Sequence, residues 1–251
     1  MAVAAMLLLA AGLLLGEPLV SYYHDVWFIF ASGFLAVLAK KTAGLFGGDA
    51  RTVWHLAALG FAGWFFGDLA WAVYEIFLNT PMPYPSLADI AYVLGNILIA
   101  AGVLLEAQRL PGEHTKKALM ASAAGLLFLG FFAKTYLLEI AADTELGALE
   151  KFVNLFYPVT DTLMFATAVY IMLVYGGVFR KMWQLFAAGA IVTALADSLF
   201  SYMAWVEIYE ANYFLMDVIW AVGYVLLGMA MWEMVEMSKA PVAAKSRKRT
   251  G

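Results

Sequence analysis

The sequence predicts an all-α fold, a polytopic membrane helical bundle of about eight (alternatively seven) transmembrane helices built from repeated helical hairpins. Composition is the first reason, because 64% of the residues are hydrophobic and 14% are charged, whereas soluble domains are about half apolar and a quarter charged. Most apolar segments are also long enough to cross a bilayer as helices. The third reason is an internal repeat that carries the same acidic residues twice. We therefore expect a single transmembrane domain over residues 1–238.

The N-terminal hairpin is predicted over residues 1–41. Its first apolar run, Met1–Gly16, is short for a span, and Glu17-Pro18 ends it. The second run begins at Val26 and ends before Lys40-Lys41. If the first run spans the bilayer there are eight spans, and the sequence favours this number; if it does not, there are seven.

Three further hairpins are predicted over residues 51–109, 117–177 and 181–238, followed by a basic tail, residues 239–251. The first and third share one pattern, displaced by about 129 residues before the turn and one residue less after it. Matching positions of this kind indicate a duplication, with the two hairpins related by an axis roughly along the membrane normal. The matching pairs are Trp54 and Trp183, Gly60 and Gly189, Asp68 and Asp197, Asp89 and Asp217, Tyr92 and Trp220, and Gly95 and Gly223.

The second of these hairpins joins the pattern more loosely. Its segment Tyr157-Pro158-Val159-Thr160-Asp161 is similar to the segment Tyr84–Asp89, with one residue fewer. We therefore predict a helix that starts at Tyr157-Pro158, with Asp161 near its beginning. Each hairpin would then place one aspartate near the start of its second helix.

The basic residues predict the orientation of the bundle. Lys40, Lys41 and Arg51 lie in one predicted loop, and later basic clusters follow at intervals of two spans. All clusters therefore fall on one face, which the positive-inside rule makes cytoplasmic. The acidic loops around Asp143 and Glu207 fall on the other face. The chain is thus expected in the plasma membrane with both termini cytoplasmic.

Acidic residues in apolar segments predict the functional site. Asp68 and Asp197 lie about 4–5 Å beyond the midpoints of their predicted helices, and lipid exposure of such a charge is costly. We expect them to face the interior, in or beneath a cavity that opens outward. The predicted ligand- or ion-binding residues share helix faces with these acids or lie in the same half of the membrane. They are Asp68, Asp197, Asp89, Asp161, Asp217, Lys134, Trp64, Trp71, Tyr92, Asn96, Trp220 and Tyr224.

Structural explanations compete with this interpretation. Asp89, Asp161 and Asp217 could cap helix N-termini, and Lys134 could be a structural ion-pair partner of one or two acids. Glu75 and Glu207 are expected to be interfacial and solvated. The histidines, His24 among them, lie near predicted loops without metal-ligand spacing, so a haem or zinc site is not expected. The metal and cofactor content is left unknown.

A resemblance can be stated on three segments. They are YPSLADIAYVLGNILIAAG (Tyr84–Gly102), YPVTD (Tyr157–Asp161) and DVIWAVGYVLL (Asp217–Leu227). Together they resemble the multi-pass membrane region in front of some bacterial diguanylate cyclases and some archaeal histidine kinases. The resemblance covers roughly residues 54–232 and implies a sensory input module. No catalytic output domain follows Trp232 in this sequence, so signalling would need a separate cytoplasmic partner.

These observations favour a non-enzymatic membrane sensor or ligand-binding module with an acidic pocket in the outer half of the bundle. The ligand would be a small molecule, a lipid or a cation, and no nucleic-acid partner is expected. The alternative is a small carrier or channel for protons or cations that uses the mid-membrane aspartates. No catalytic residue is assigned, because the sequence has neither a GxSxG nor an HExxH motif. A retinal pigment on Lys134 is disfavoured, since this lysine is not in the last helix.

Overall fold

The computed structural model describes residues 2–16, 18–80, 83–110, 115–209 and 213–238, and these contain eight helical segments and no strand. The predicted basic tail, residues 239–251, lies outside the described residues. Seven helices, α2 to α8, are long and apolar enough to cross a membrane, which confirms the predicted fold class. The segments are α1 (Ala2–Leu14), α2 (Leu19–Ala43), α3 (Gly48–Phe77), α4 (Leu87–Gln108), α5 (Thr115–Ala142), α6 (Ala148–Val174), α7 (Gly177–Trp205) and α8 (Tyr213–Ser238).

Helix α1 is too short to be an eighth span. It consists of an α-helix, Ala2–Ala11, and one 3₁₀ turn, Gly12–Leu14, so it is roughly 21 Å long, against about 30 Å of hydrocarbon. Trp27 of α2 donates its indole N–H to the carbonyl of Ala5 at 3.1 Å. The short helix therefore packs against α2 and α8.

Six of the long helices form a closed ring. Each packs against its neighbours in the order α2, α3, α4, α6, α7, α8 and back to α2. Small residues permit the closest approaches: a Cβ on Gly95 of α4 would lie 2.7 Å from the carbonyl oxygen of Gly60 of α3. Helix α5 lies outside this ring against α6, and Tyr136 at its far end donates to the carbonyl of Ser198 in α7.

The basic end of the ring is a packed apolar core. Trp54 of α3 and Trp183 of α7 meet there with ring centroids 6.1 Å apart, and Phe61 above them is fully buried. The core continues through α2, α6 and α8, which contribute Leu38, Ile171 and Met231 among others. Lys40-Lys41, Arg109 and Arg180-Lys181 all lie at helix ends on this side, in agreement with the predicted clustering of basic residues.

The opposite end carries the acidic loops. Here Trp205 of α7 donates its indole N–H to Asp143 at 2.9 Å, and this bond holds the pKa of the Asp143 carboxyl below its usual range. Helix α3 ends at this side in a π-helical turn, Val73–Phe77. Turns of this type are frequent at functional sites, and this one carries Glu75.

Helix α6 differs from the prediction. It begins at Ala148, directly after Gly147, and Pro158 lies inside it. The predicted start at Tyr157-Pro158 is therefore wrong. Proline is favoured in the first turn of a helix, where its missing backbone N–H has no partner in any case, but α6 continues through Pro158, which is buried inside it. As a consequence, Asp161 is a mid-helix residue and not a cap.

Candidate ligand-binding cavity

One face of α3 supplies the first side of the site. Trp64, Asp68, Trp71 and Glu75 follow one another at spacings of four, three and four, which places them on one side of a helix. All four line a single cavity. Asp68 lies about 8 Å beyond the midpoint of its helix, on the side of the acidic end. It is closer to that end than predicted, because α3 starts at Gly48 rather than near Val53.

Asp68 is held by the neighbouring helix. Tyr92 of α4 donates its hydroxyl to Asp68 Oδ1 at 2.7 Å. The other oxygen, Oδ2, has no hydrogen-bond partner among the described residues, although the residue is only 6% exposed. The nearby Ser32 hydroxyl donates to backbone carbonyls of its own helix instead, at 2.9 Å and 3.3 Å. A buried carboxylate oxygen without a donor carries a large desolvation penalty, so a group from outside the protein would stabilise it.

Helices α7 and α8 form the opposite side with a matching contact. Trp220 of α8 donates its indole N–H to Asp197 Oδ1 of α7 at 2.6 Å. Asp197 lies about 9 Å beyond the midpoint of α7, a depth similar to that of Asp68. Behind it, Asn96 of α4 donates to Asp161 of α6 at 3.3 Å, and the Asp161 and Asp197 carboxyls lie close enough to interact directly.

These side chains surround a cavity of about 340 Å³, within the size range of about 300–1,000 Å³ typical of small-molecule sites. It runs from exposed residues at the acidic end of the bundle, including Asn79 and Thr80, to buried residues near the middle of the ring, including Trp64 and Tyr224. Below that level the apolar core closes the bundle. The cavity therefore opens at the acidic end.

The cavity is acidic and aromatic. Six of the lining residues are carboxylic acids, and none of the described lining residues is a lysine or an arginine. The acids come from α2, α3, α4, α7 and α8, so five helices of the ring each contribute at least one acid. They are Asp25, Asp68, Glu75, Asp89, Asp197 and Asp217. The aromatic lining residues are Tyr22, Phe28, Trp64, Trp71, Tyr92, Tyr157, Phe200, Tyr209, Tyr213, Trp220 and Tyr224.

Asp89 and Asp217 have structural partners. Asp89 forms a capping box with Ser86 at the start of α4 and also accepts a hydrogen bond from Tyr157 at 2.9 Å. Asp217 is 2.9 Å from Nδ1 of His24, which is almost fully buried. The capping explanation therefore applies to Asp89, but Asp217 is paired with a histidine on another helix.

Ten of the twelve predicted site residues line the cavity. Asp161 lies behind the wall, beside Asn96. Lys134 was placed wrongly: it is exposed on the outside of α5, on a face that it shares with Phe131 and Leu138, which are 66% and 67% exposed. It forms no ion pair with any described acid, because α5 packs outside the ring. This position also removes the structural basis for a retinal pigment on Lys134.

The sequence-based prediction missed the contribution of α2. Asp25 and Ser21 line the cavity, and Ser21 donates to Glu75 of α3. Glu75, which is half-buried, also accepts a hydrogen bond from Trp71 at 2.6 Å. Helix α2 begins at Leu19 rather than at Val26, where the apolar run begins. Helical continuation of the run by two turns would have placed Asp25 inside the helix.

The site defines a class of protein: a helical membrane bundle with an acidic, aromatic cavity open at one end. Among the described residues, no group of three or more His, Cys, Asp or Glu side chains is arranged to hold a metal ion. No protein-family model, curated protein or solved structure matches this chain.

Proposed function

We propose that this membrane protein is a non-enzymatic ligand-binding sensor module that takes a positively charged ligand in its acidic cavity. The observation that carries the proposal is the imbalance of charge in the cavity: six carboxylic acids and no lysine or arginine among the described lining residues. A desolvated carboxylate is stable only when it is paired, hydrogen-bonded or protonated. The unpartnered Oδ2 of Asp68 is one position at which a ligand would supply the missing donor.

The basic end of the bundle is proposed to face the cytoplasm. Its loops carry the lysine and arginine clusters, which the positive-inside rule assigns to that side. The cavity would then open to the outside of the plasma membrane, and a signal would pass through the apolar core to a separate cytoplasmic partner. The resemblance to sensor regions of diguanylate cyclases and histidine kinases supports this output. A reporter enzyme fused to the C-terminus tests the orientation, which an external reporter would overturn.

A carrier or channel for protons or cations is the second candidate. The close Asp161 and Asp197 carboxyls favour it, because two adjacent acids can bind a proton or cation between them. Against it stands the apolar core beneath the cavity, with Trp54, Phe61 and Trp183 buried at its centre. Transport would require this half of the ring to open, whereas a sensor needs only a small shift of its helices. Cation or proton flux into proteoliposomes would favour the carrier.

The test compares ligand-dependent stability of the purified protein with that of two variants. The double variant Asp68→Asn/Asp197→Asn removes two cavity charges and keeps the shape of the side chains. The control Glu145→Gln removes an exposed charge at the same end, outside the cavity. A ligand at about 100 times its Kd stabilises a protein by about 2.7 kcal/mol. We expect cationic compounds to raise the Tm of the wild type and the control, and to have a smaller effect on the double variant.

Two outcomes would contradict the proposal. One is an equal shift for wild type and double variant with every compound that stabilises the wild type. The other is stabilisation by anionic compounds alone. If the double variant does not fold, the single variant Asp25→Asn replaces it, because Asp25 is partly exposed and its Oδ2 has no partner among the described residues.

A further inference from the structure

We infer that the ligand of this cavity is a linear organic dication, a diamine or polyamine, which places one ammonium group at each of two carboxylate clusters. This inference rests on the proposed function, since it assumes that the cavity binds a cation. It adds the chemical class of that cation and the position of its two charges.

The first cluster lies where α2, α3 and α8 meet. Asp25 is flanked by Glu75, Asp217 and Asp68, each near enough to act on its charge. Two of these four acids have an oxygen without a hydrogen-bond partner among the described residues, Oδ2 of Asp25 and Oδ2 of Asp68. Both residues line the cavity. His24 can compensate Asp217, but the donors to Glu75 and Asp68 are neutral groups such as those of Ser21, Trp71 and Tyr92.

The second cluster lies across the ring, where α4, α6 and α7 meet. Asp197 lines the cavity, and Asp161 lies directly behind it with one oxygen unpartnered among the described residues. Its donors are again neutral: Trp220 to Asp197 at 2.6 Å and Asn96 to Asp161 at 3.3 Å. This cluster therefore also lacks a positive charge of its own in the described part of the chain.

Aromatic side chains separate the two clusters. Tyr224 lines the cavity, and its hydroxyl interacts with Asp68 of the first cluster and with Asp197 of the second. Its ring stacks on Trp64 with centroids 5.1 Å apart. Such surfaces suit a methylene chain, and they also attract an ammonium group placed over their faces. The order acid, aromatic, acid along the cavity matches the order ammonium, methylene chain, ammonium of a diamine.

A single metal ion fits this arrangement less well. Calcium and magnesium need oxygen ligands gathered around one point at about 2.0–2.6 Å. Here the acids are divided between two sides of the ring, and the described residues offer no group of three that converges in this way. A monoamine would satisfy one cluster and leave the other without a counter-charge.

The experiment measures binding to the purified full-length protein by calorimetry at one ionic strength. The probes are linear diamines of increasing length, including putrescine and cadaverine, then spermidine, butylamine as the monoamine, butanediol as the neutral analogue, and magnesium and sodium chloride. We expect the best diamine to bind at least about tenfold more tightly than butylamine, and the affinity to peak at one chain length. Butanediol should not bind, since it carries no charge.

Single-charge variants sharpen the test. Asp68→Asn and Asp197→Asn should each reduce the affinity for the best diamine by at least about tenfold and bring it close to that of butylamine, because only one complete cluster remains. The control Glu145→Gln should bind all probes as the wild type does. If a variant does not fold, the affinities of the wild type for diamines of different length still test whether the cavity binds a dication at two positions.

The outcomes separate this inference from the proposed function. Equal affinities for diamines and butylamine, or binding of magnesium or sodium without any amine, would overturn the dication but keep a cation-binding cavity. No binding by any of these cations would overturn both. A length optimum that is lost in either single variant would support the two-cluster arrangement.

Discussion

The two hairpins α3–α4 and α7–α8 make the same kinds of contact, but their helices pack together at different distances. In each, an aspartate on the first helix accepts a hydrogen bond from an aromatic residue on the second, Tyr92 to Asp68 and Trp220 to Asp197. In each, two glycines lie at the crossing of the helices. These are the contacts that a duplicated hairpin should share, and superposition of the two hairpins remains the test of the duplication.

The first crossing is the tighter one. Helix α3 carries Gly60, Gly63 and Gly67, and a Cβ on Gly63 would lie 2.9 Å from the Cα of Gly95. In α7 the matching positions hold Gly189, Val192 and Ala196. The tighter hairpin also holds the more deeply buried acid, since Asp68 is buried and Asp197 is half-buried. A close crossing thus excludes more solvent from its aspartate.

Helices outside this pair of hairpins make the cavity asymmetric. Helix α2 adds Asp25 and Ser21 on the side of Asp68, whereas α6 adds Asp161 on the side of Asp197. The repeated hairpins therefore position Asp68 and Asp197, and the unrepeated helices α2 and α6 determine which acids lie beside each of them. The two sides should consequently respond differently to matched substitutions.

The largest difference is expected for alanine at the paired glycines. In Gly95→Ala the new Cβ meets the carbonyl oxygen of Gly60 at 2.7 Å, whereas in Gly223→Ala it meets the Thr193 hydroxyl at 2.7 Å. A backbone carbonyl cannot move without displacing its helix, but a threonine side chain can rotate. Overpacking typically costs about 1–3 kcal/mol, so we expect about 3 kcal/mol for Gly95→Ala and about 1 kcal/mol for Gly223→Ala.

Reversible unfolding in mixed detergent micelles measures both values. Gly130→Ala is the control, because a Cβ there meets no atom within 4 Å, and it should leave the free energy of unfolding unchanged or slightly raised. Equal losses for Gly95→Ala and Gly223→Ala would show that the two crossings are equally tight in the membrane protein.

A smaller difference is expected for the hydrogen bonds to the two aspartates. Tyr92→Phe removes the only donor to Asp68 Oδ1 among the described hydrogen bonds, and Oδ2 already has none. We expect a loss of about 2 kcal/mol, since hydrogen bonds to charged groups contribute about 1.5–3 kcal/mol. Trp220→Phe should cost about 1 kcal/mol, because water can reach the half-buried Asp197 and replace the indole.

The same unfolding measurement applies, with Tyr22→Phe as the control. The Tyr22 hydroxyl donates to Asn79 at 3.0 Å in an exposed position, so its loss should have little effect. A larger loss for Trp220→Phe than for Tyr92→Phe would contradict this. It would mean that the more deeply buried carboxyl, that of Asp68, does not depend more strongly on its hydrogen bond than that of Asp197 does.

Much of the site was accessible from the sequence because helical spacing translates directly into shared faces. Trp64, Asp68, Trp71 and Glu75 recur at three- and four-residue intervals, and the repeat indicated which acids belong together. These two local patterns placed ten of the predicted residues around one cavity. Neither pattern depends on how the helices are arranged in the ring.

The errors concern the arrangement of helices, which local patterns do not contain. Asp25 has no counterpart in the repeat, and only the packing of α2 between α3 and α8 brings it to the cavity. Pro158 resembles a helix start, but it is a buried residue inside α6. The sequence predicts that the middle hairpin is related to the other two, but its first helix, α5, lies outside the ring.

The smallest effect on stability is expected for substitution of Lys134, which tests the position of α5 outside the ring. Its helix ends at Ala142, about 12 Å further along, and its exposed, flexible side chain can extend toward the membrane surface. If Lys134 neutralised a cavity acid, Lys134→Met would cost about 3–5 kcal/mol, because a buried charge would lose its partner. From its position on the outer face of α5 we expect a change of less than about 0.5 kcal/mol in the free energy of unfolding, and unchanged affinity for putrescine. Lys134→Arg, which keeps the charge, should behave in the same way. A loss of several kcal/mol in Lys134→Met that is absent in Lys134→Arg would mean that α5 turns Lys134 toward the acids, and that the first helix of the middle hairpin takes part in the site.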